Sequence, residues 1–345
     1  MDRAIEIIPS TFNAKPEQIH FGPSTSQNTY VLANALRPYW NEGDNIIVTN
    51  QDHEANIGAW RRLENSGINV REWEVDKETG LLNPNDFEEL ICEKTRLAAV
   101  THASNLAATI NPIRAISEIV HSVGGLLVAD GVSFAPHASI DIQELNCDVY
   151  LYSTYKTYGP HIGLMYTSEN VSEQVTNQGH FFNSEKPTYR LTPAGPDHAS
   201  VAACAGMIDY YEEIYEHHFG KDTSGLRDRI VKVFDLFGEH EEQLMTPLIN
   251  YILSREDFRL IGSHSTSRDE RAPTIAFHSQ TATSEAIYDA LINSYISCGH
   301  GNFYAHRLTE AIGLNPEDGV VRLSMVHYNT LDEVERAIEV LESIG

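Results

Sequence analysis

Lys156 and Asp130 are two residues of this 345-residue chain whose types and positions could serve a covalently bound cofactor. Each of them follows a strand-like apolar run. Lys156 stands in a polar turn after the apolar residues 149–152, and Asp130 ends the run at 126–129. A lysine forms Schiff bases with aldehydes, and an aspartate keeps a proton on a pyridine nitrogen so that the ring accepts electrons. Pyridoxal 5′-phosphate (PLP) needs both functions from its protein. Either residue alone is ordinary at a strand end, so this interpretation depends on further partners.

A cluster of hydroxyl groups precedes the first helical pattern. Ser24 and Thr25 lie just before the pattern that begins at about Tyr30. The free N–H groups and the positive dipole end of a helix start suit a phosphate group. Ser153, three residues before Lys156, could add a hydroxyl to the same phosphate. The alternative is an ordinary serine or threonine N-cap.

Two polar residues follow other strand-like runs. His53 follows the run at 46–49 and opens a helical pattern, so it could lie flat on a pyridine ring and carry protons. Otherwise it is an ordinary residue of a helix start. Asn105 follows the run at 97–101 and could donate a hydrogen bond to the 3-oxygen of the cofactor. The alternative for a loop asparagine is a turn.

Arg322 is a lone cation inside the apolar run at 320–325. Burying an unpaired guanidinium is costly, so the side chain needs an anion. A substrate carboxylate held bidentately would serve, and so would a structural salt bridge. The sequence leaves both open.

The first half of the chain alternates helical patterns, such as 113–123, with apolar runs at 46–49, 97–101, 126–129, 149–152 and 163–166. This alternation predicts an α/β fold with a mainly parallel sheet covered on both faces. Ligands of such sheets bind at the carboxyl ends of the strands, where Asp130 and Lys156 fall.

From about residue 200 the pattern changes. Long helical patterns at 201–217 and 225–252 have acidic exposed faces, and apolar runs at 273–278 and 320–325 precede a final helix at 331–344. These features predict a smaller α+β domain. We therefore predict a large PLP-binding domain at residues 1–220 and a small domain at residues 221–345.

The composition excludes several partners. A net charge of −25 repels nucleic acid and anionic membranes. No apolar run reaches the ~18 residues of a membrane helix, and the first residues carry charges where a signal peptide would be apolar. The four cysteines are scattered, so neither a metal site nor a disulfide framework is indicated. We expect a cytoplasmic protein.

The chain resembles the class V aminotransferase superfamily, close to its cysteine desulfurase branch, from about Phe21 to the C-terminus. The resemblance is most specific in the stretches 101–112, 130–137, 153–160 and 322–330. It implies the type I PLP fold, the aspartate-aminotransferase-like fold, with PLP as cofactor. It also implies that Lys156 is the Schiff-base lysine, Asp130 the pyridinium partner and His53 the ring-stacking residue. Arg322 then binds the substrate α-carboxylate, and Ser24, Thr25 and Ser153 match the phosphate-binding positions.

The chain departs from the family pattern at several places. Tyr304 stands where cysteine desulfurases carry their persulfide-forming cysteine. Cys298 is nearby, but we expect it to pack within a strand. Tyr155 replaces a histidine, and Ser133 replaces a glutamine that contacts the cofactor oxygen. Both replacements keep hydrogen-bonding ability, so we expect them to contact PLP.

The resemblance leads to two further expectations, one for the loop that contains Tyr304 and one for the start of the chain. Within that loop Asn302 and Tyr304 are expected to contact the substrate. The resemblance also implies that the family's first stretch, which borders the active site, is missing from the start of this chain.

The resemblance implies an enzyme that acts on an amino acid through an external aldimine and a quinonoid. A cysteine desulfurase-like carbon–sulfur lyase fits the motifs best. A class V aminotransferase and an amino-acid epimerase stay open, as does a PLP-binding protein without turnover. A nicotinamide dehydrogenase is disfavoured, because no GxGxxG follows an early strand. We also expect a homodimer whose residues 190–198 approach the Lys156 pocket of the partner.

Overall fold

Two β-sheets, of seven and four strands, organise the chain in a computed structural model that describes residues 1–344. The strands in chain order are β1 (Ile19–Gly22), β2 (Asn45–Thr49), β3 (Asn69–Trp73), β4 (Thr95–Thr101), β5 (Leu126–Asp130), β6 (Val149–Ser153), β7 (Gly163–Thr167), β8 (Phe258–Leu260), β9 (Thr274–Ser279), β10 (Gly299–Gly301) and β11 (Val320–Ser324).

Helices cover both sheets. In chain order they are α1 (Asp2–Thr11), α2 (Thr25–Leu36), α3 (Glu54–Arg61), α4 (Pro84–Leu90), α5 (Ile113–His121), α6 (Ile142–Leu145), α7 (Glu169–Gln174), α8 (Pro187–Arg190), α9 (His198–Ala203), α10 (Ala205–Phe219), α11 (Leu226–Ser254), α12 (Ser284–Asn293), α13 (His306–Ala311) and α14 (Leu331–Ile344). No helix within residues 1–344 combines the length and the apolar character that a membrane crossing requires.

The larger sheet has the strand order β1-β7-β6-β5-β4-β2-β3. The five strands β6, β5, β4, β2 and β3 run parallel to one another. At one edge of the sheet β7 pairs antiparallel with β6, and β1 pairs antiparallel with β7. Every residue of β2, β5 and β6 is buried, as expected for strands covered on both faces. The predicted α/β class with a mainly parallel sheet is confirmed.

The smaller sheet is antiparallel, in the order β10-β11-β9-β8. The runs predicted at 273–278 and 320–325 form its strands β9 and β11, and the predicted final helix is α14. The helical pattern predicted at 201–217 is divided between α9 and α10. Between these helices the N–H of Cys204 is shared by the carbonyls of Ser200 and Val201, which tightens the turn.

The long helix α11 belongs to both hydrophobic cores. Its first half, including Val233 and Phe237, packs into the core of the larger sheet. Its second half, including Leu244 and Ile249, packs against the smaller sheet. One helix therefore connects the two sheets, and the division at residue 220 stays a prediction.

Candidate active site

A cavity of about 620 Å³ lies at the carboxyl ends of β2, β4, β5 and β6. Eleven of the twelve residues that the sequence singles out line this cavity: Ser24, Thr25, His53, Asn105, Asp130, Ser133, Ser153, Tyr155, Lys156, Tyr304 and Arg322. They come from both ends of the chain. The fold therefore brings together side chains separated by up to three hundred residues, as the strand-end argument expects.

Lys156 lies on a single 3₁₀ turn, Thr154–Thr157, directly after β6. Tyr158 ends this turn with φ +68°, a left-handed conformation that reverses the chain towards β7. Burial lowers the pKa of the Lys156 ammonium, and the nearby Arg322 lowers it further, whereas Asp130 opposes the shift. The turn thus presents an amine whose neutral form is favoured by its surroundings.

Asp130 is the last residue of β5 and is only 4% exposed. Its Oδ1 accepts a hydrogen bond from the N–H of Val132 at 2.9 Å. Burial raises the pKa of this carboxyl to about 6, and Lys156 partly offsets the rise. A buried acid with a single backbone donor can accept a further charged donor, and a protonated pyridine nitrogen has that chemistry.

Ser24, Thr25 and Ser153 form a hydroxyl-rich corner of the cavity. Ser24 is the N-cap of α2, and the Oγ1 of Thr25 lies 2.7 Å from the Oγ of Ser153. Gly163, the first residue of β7, packs directly on the backbone of Ser24 and Thr25; a Cβ there would lie 2.4 Å from the Ser24 carbonyl carbon. The missing side chain lets the start of α2 reach the sheet. The corner has the donors that suit a phosphate.

His53 is the N-cap of α3, and its Nδ1 accepts a hydrogen bond from the N–H of Ala55 at 3.0 Å. Burial lowers the pKa of this imidazole to about 4, with further lowering by Lys156 and Arg322. A neutral ring whose Nδ1 accepts must carry its proton on Nε2. The ring can therefore donate a hydrogen bond through Nε2.

Asp52, the residue before His53, supports the start of α3 with its carboxyl group. Asp52 is buried, and its carboxylate accepts hydrogen bonds from the hydroxyl of Thr49 and from Nδ2 of Asn56. Burial raises the pKa of Asp52 to about 7.

Arg322 projects from the central strand β11 of the smaller sheet. Its Nη1 donates to the carbonyl of Asn105 at 2.8 Å, and its Cζ lies 3.8 Å from the ring centroid of Phe303. Burial lowers the pKa of the guanidinium to about 10, so the group stays charged at neutral pH. Within residues 1–344 it forms no ion pair with a carboxylate. The salt-bridge alternative therefore has no partner, and the guanidinium is available to an anion in the cavity.

The loop after β10 closes one side of the cavity. Phe303 and Tyr304 both have left-handed φ angles, of +51° and +62°. The carbonyl of Phe303 accepts from Nδ2 of Asn105 at 2.8 Å, and the carbonyl of Tyr304 accepts from the N–H of Glu54 at 3.0 Å. The ring of Tyr304 is 74% exposed and lies 5.2 Å from the ring of His53. The loop thereby places a phenol beside an imidazole.

Asn302 is the twelfth residue, and it does not line the cavity. Its Oδ1 accepts from the N–H of Tyr304 at 3.0 Å, and its Nδ2 donates to the carbonyl of Pro316 at 3.2 Å. Both ends of the amide therefore hold the loop in shape. A direct substrate contact by Asn302 stays a prediction.

The cysteines lie outside the cavity. Cys298 is half-buried, packs at the core of the smaller sheet, and has its pKa raised to about 11 by burial. Such a thiol stays protonated and is a poor nucleophile. In the part of the chain that the structure describes, no cysteine lines the cavity beside Lys156.

Eight of the residues that line the cavity were not predicted from the sequence, and Phe303 and His161 are the two of them that stack on predicted site residues. Phe303 stands between the predicted Asn302 and Tyr304, but its position over Arg322 depends on the left-handed loop. His161 follows Gly159-Pro160 and stacks on Tyr155, with 4.6 Å between centroids and 7° between planes. A signal was present, since a histidine directly after a lysine turn is brought back beside it when the chain reverses.

These residues fit one cofactor class. A buried acid, a lysine at a strand end and a hydroxyl corner at a helix start share one cavity, as PLP requires. Fold and cavity together define a PLP-dependent enzyme of the type I fold.

Comparison with known proteins gives the family. The model of the class V aminotransferase family matches residues 1–238 and 232–337. The aminotransferase-like protein FGM3 of Gibberella zeae is 36% identical, covering 99% of this chain and 82% of that protein. The cysteine desulfurase-like protein ustD of Aspergillus flavus is 30% identical, covering 98% and 76%. The chain belongs to the class V aminotransferase family.

Solved structures agree with the fold. The apo cysteine desulfurase of Thermococcus onnurineus NA1 has a TM-score of 0.85 at 23% identity, covering 99% of this chain and 83% of that one. The cysteine desulfurase CsdA of Escherichia coli has a TM-score of 0.84 at 21% identity, covering 99% and 82%. The type I fold expected from the sequence is confirmed.

Proposed function

We propose that this enzyme is a carbon–sulfur lyase-like PLP enzyme, which removes the Cα proton of an amino acid and expels a sulfur leaving group from Cβ. The observation that carries the proposal is the convergence of Lys156, Asp130 and Arg322 in one cavity without a thiol. The leaving sulfur is therefore released into solution and not passed to a cysteine of this chain.

Each cofactor contact is assigned to a side chain at the cavity wall. Lys156 would bond the aldehyde, Asp130 would face the ring nitrogen, and Ser24, Thr25 and Ser153 would hold the phosphate. The remaining contacts are assigned to His53, Asn105, Ser133 and Tyr155. When bound, PLP supplies an aldehyde that condenses with amines and a ring that accepts the electron pair left on Cα.

Lys156 is the base in this proposal. Its ammonium pKa is lowered by burial, which favours the neutral amine that can take a proton from Cα. His53 is less suited, because its Nδ1 already accepts a backbone hydrogen bond and its Nε2 already carries a proton. We assign His53 to stacking and to hydrogen-bond donation.

Arg322 and Tyr304 act on the substrate: Arg322 binds its carboxylate, and Tyr304 donates a proton to its leaving group. The free edge of the Arg322 guanidinium would hold the α-carboxylate, since a fork of two N–H groups matches two carboxylate oxygens. The phenol of Tyr304 would give its proton to the sulfur as the Cβ–S bond breaks, so that the leaving group departs as a neutral thiol, or as hydrogen sulfide when the substrate is cysteine.

The test combines labelling with product analysis. Borohydride reduction of the purified enzyme and peptide mapping should place a pyridoxyl group on Lys156, and Lys156→Ala should abolish the label while the exposed control Lys221→Ala keeps it. Incubation with cysteine or S-substituted cysteines should then release pyruvate and the thiol. A keto acid that still carries the sulfur on Cβ, formed together with the amine form of the cofactor, would indicate transamination. That result would overturn the lyase assignment and leave the PLP site standing.

We also propose a homodimer. Residues 191–197 line a second, largely apolar cavity of about 400 Å³ beside the active site, together with Gly22 and His161. An apolar surface at that position favours a partner chain. Light scattering tests this, and a monomer that binds PLP tightly would contradict it. The cytoplasmic location and the domain division at residue 220 stay predictions.

A further inference from the structure

We propose that His161 binds the phosphate group of the cofactor and supplies the positive charge that the hydroxyl corner lacks. This inference rests on the proposed PLP site and assigns one further residue to it.

The first support is position. β6 and β7 pair antiparallel, with Ser153 opposite Gly163, and the Lys156 turn connects them. The N–H of Thr154 donates to the carbonyl of Ile162 at 3.0 Å, which closes this hairpin. His161 stands on its returning arm, two residues before the glycine that packs on Ser24 and Thr25. The imidazole therefore reaches the cavity wall from the same side as the hydroxyls.

The second support is orientation. The His161 ring stacks face to face on the ring of Tyr155, at 4.6 Å and 7°. It is exposed to the cavity, and within residues 1–344 neither ring nitrogen makes a hydrogen bond to protein. A stacked ring keeps its two nitrogens in a fixed plane. Both nitrogens are thus free to donate to an oxyanion when the ring is protonated.

The third support is charge. A phosphate monoester carries nearly two negative charges at neutral pH, and this chain has a net charge of −25. The hydroxyls and the start of α2 provide only dipoles. Of the two cations at the cavity wall, Lys156 is assigned to the aldehyde. Arg322 contacts Asn105, which follows β4, two strands from β6 in the sheet. His53 stays neutral, because burial lowers its pKa to about 4. His161 is therefore the remaining side chain of the cavity wall that can become a cation.

The experiment separates phosphate recognition from folding. Apparent affinities of the cofactor-free full chain for PLP and for pyridoxal, which lacks the phosphate, are measured by absorption titration. We compare the wild type with His161→Gln, His161→Lys and the control His217→Gln, which changes an exposed residue at the end of α10. Loss of a charge-assisted hydrogen bond in His161→Gln should weaken PLP binding at least about tenfold and leave pyridoxal binding unchanged.

The lysine variant and the ³¹P signal complete the design. His161→Lys should restore most of the preference for PLP over pyridoxal, and His161→Gln should shift the ³¹P resonance of the bound phosphate. Equal weakening of PLP and pyridoxal, or no weakening of either, would overturn the role of His161. A wild type that binds neither compound would instead overturn the PLP site itself.

Discussion

Asp130 is a buried acid whose carboxylate accepts one backbone hydrogen bond. An asparagine at this position keeps the acceptor for Val132 but cannot stabilise a positive charge on the ring nitrogen. We therefore expect Asp130→Asn to fold normally, to keep PLP affinity within about tenfold, and to lose roughly 100-fold or more in turnover. Steady-state rates and cofactor titration check this against the exposed control Asp289→Asn. Unchanged turnover would remove Asp130 from the role of ring partner.

A second prediction concerns Cys298. Its thiol is half-buried at the core of the smaller sheet, and burial holds its pKa at about 11. A protonated, packed thiol cannot accept sulfur efficiently, so Cys298→Ser should keep any sulfide release from cysteine within about twofold of the wild type. The control is Cys92→Ser, in the segment between α4 and β4. Complete loss of sulfide release in Cys298→Ser, with an unchanged absorption spectrum, would make Cys298 the sulfur acceptor.

At the scale of elements, His327 joins the lysine turn to the strand that carries Arg322. Its Nδ1 lies 3.1 Å from the hydroxyl of Tyr158, its Nε2 lies 2.6 Å from the hydroxyl of Tyr210, and its ring stacks on Phe237 at 3.6 Å. These contacts come from the end of the lysine turn, from α10 and from α11. The residue itself follows β11 by three positions. One imidazole therefore ties four segments together.

The third prediction tests this junction. His327→Phe keeps the stacking on Phe237 and removes both hydrogen bonds, so the free energy of unfolding should fall by about 1–3 kcal/mol. Urea denaturation measures this, with Tyr328→Phe as the control, since that ring is largely exposed. An unfolding free energy equal to that of the wild type would show that the two tyrosines find other partners.

The sequence predicted the elements better than their contacts. The buried runs of β2, β4, β5 and β6 are recognisable because strands covered on both faces are apolar throughout. The antiparallel return of β1 to β7 has no such local signal, since Ile19 pairs with Tyr166 far along the chain. The Ser24–Ser153 corner could be suggested from its hydroxyls, and the turn after Lys156 gave a signal for the location of His161. The ring positions of Phe303 and His161 had no signal in the sequence. Their positions come from a left-handed loop and from a stacked tyrosine, which only the folded chain defines.

At the scale of the whole molecule, buried histidines set the response to acid. His20 and His102 are buried, and burial lowers the pKa of His20 to about 4 and that of His102 to about 3. In the unfolded chain both bind protons near pH 6.5. Their contribution to stability is therefore complete above pH 6.5 and is lost as the pH falls through about 4 for His20 and about 3 for His102. Asp52 and Asp130 act in the opposite direction, because their raised pKa values stabilise the fold below about pH 4 and this contribution is lost as the pH rises through 6 to 7.

The fourth prediction isolates one of these groups. His102→Gln keeps a polar partner for the Tyr150 hydroxyl, which lies 2.9 Å from Nδ1 of the wild-type ring, and removes the titration. Between pH 6 and 4 the variant should lose less unfolding free energy than the wild type, by about 1.4 kcal/mol per pH unit. Urea titrations at several pH values measure the slopes, with the exposed His217→Gln as the control. Parallel slopes for His102→Gln and the wild type would contradict the assignment of His102 to this loss.

The antiparallel pairing of β1 with β7 has a consequence for biosynthesis. A ribosome that adds about 5–20 residues per second needs roughly 7 to 30 seconds to proceed from Ile19 to Tyr166. Throughout that interval β1 has no partner strand, and the start of α2 has no Gly163 on which to rest. The nascent chain therefore carries an open strand edge while its parallel core is already emerging. We expect cofactor capture to begin only after the β6–β7 hairpin has left the exit tunnel, so that the holoenzyme forms late in translation or after release.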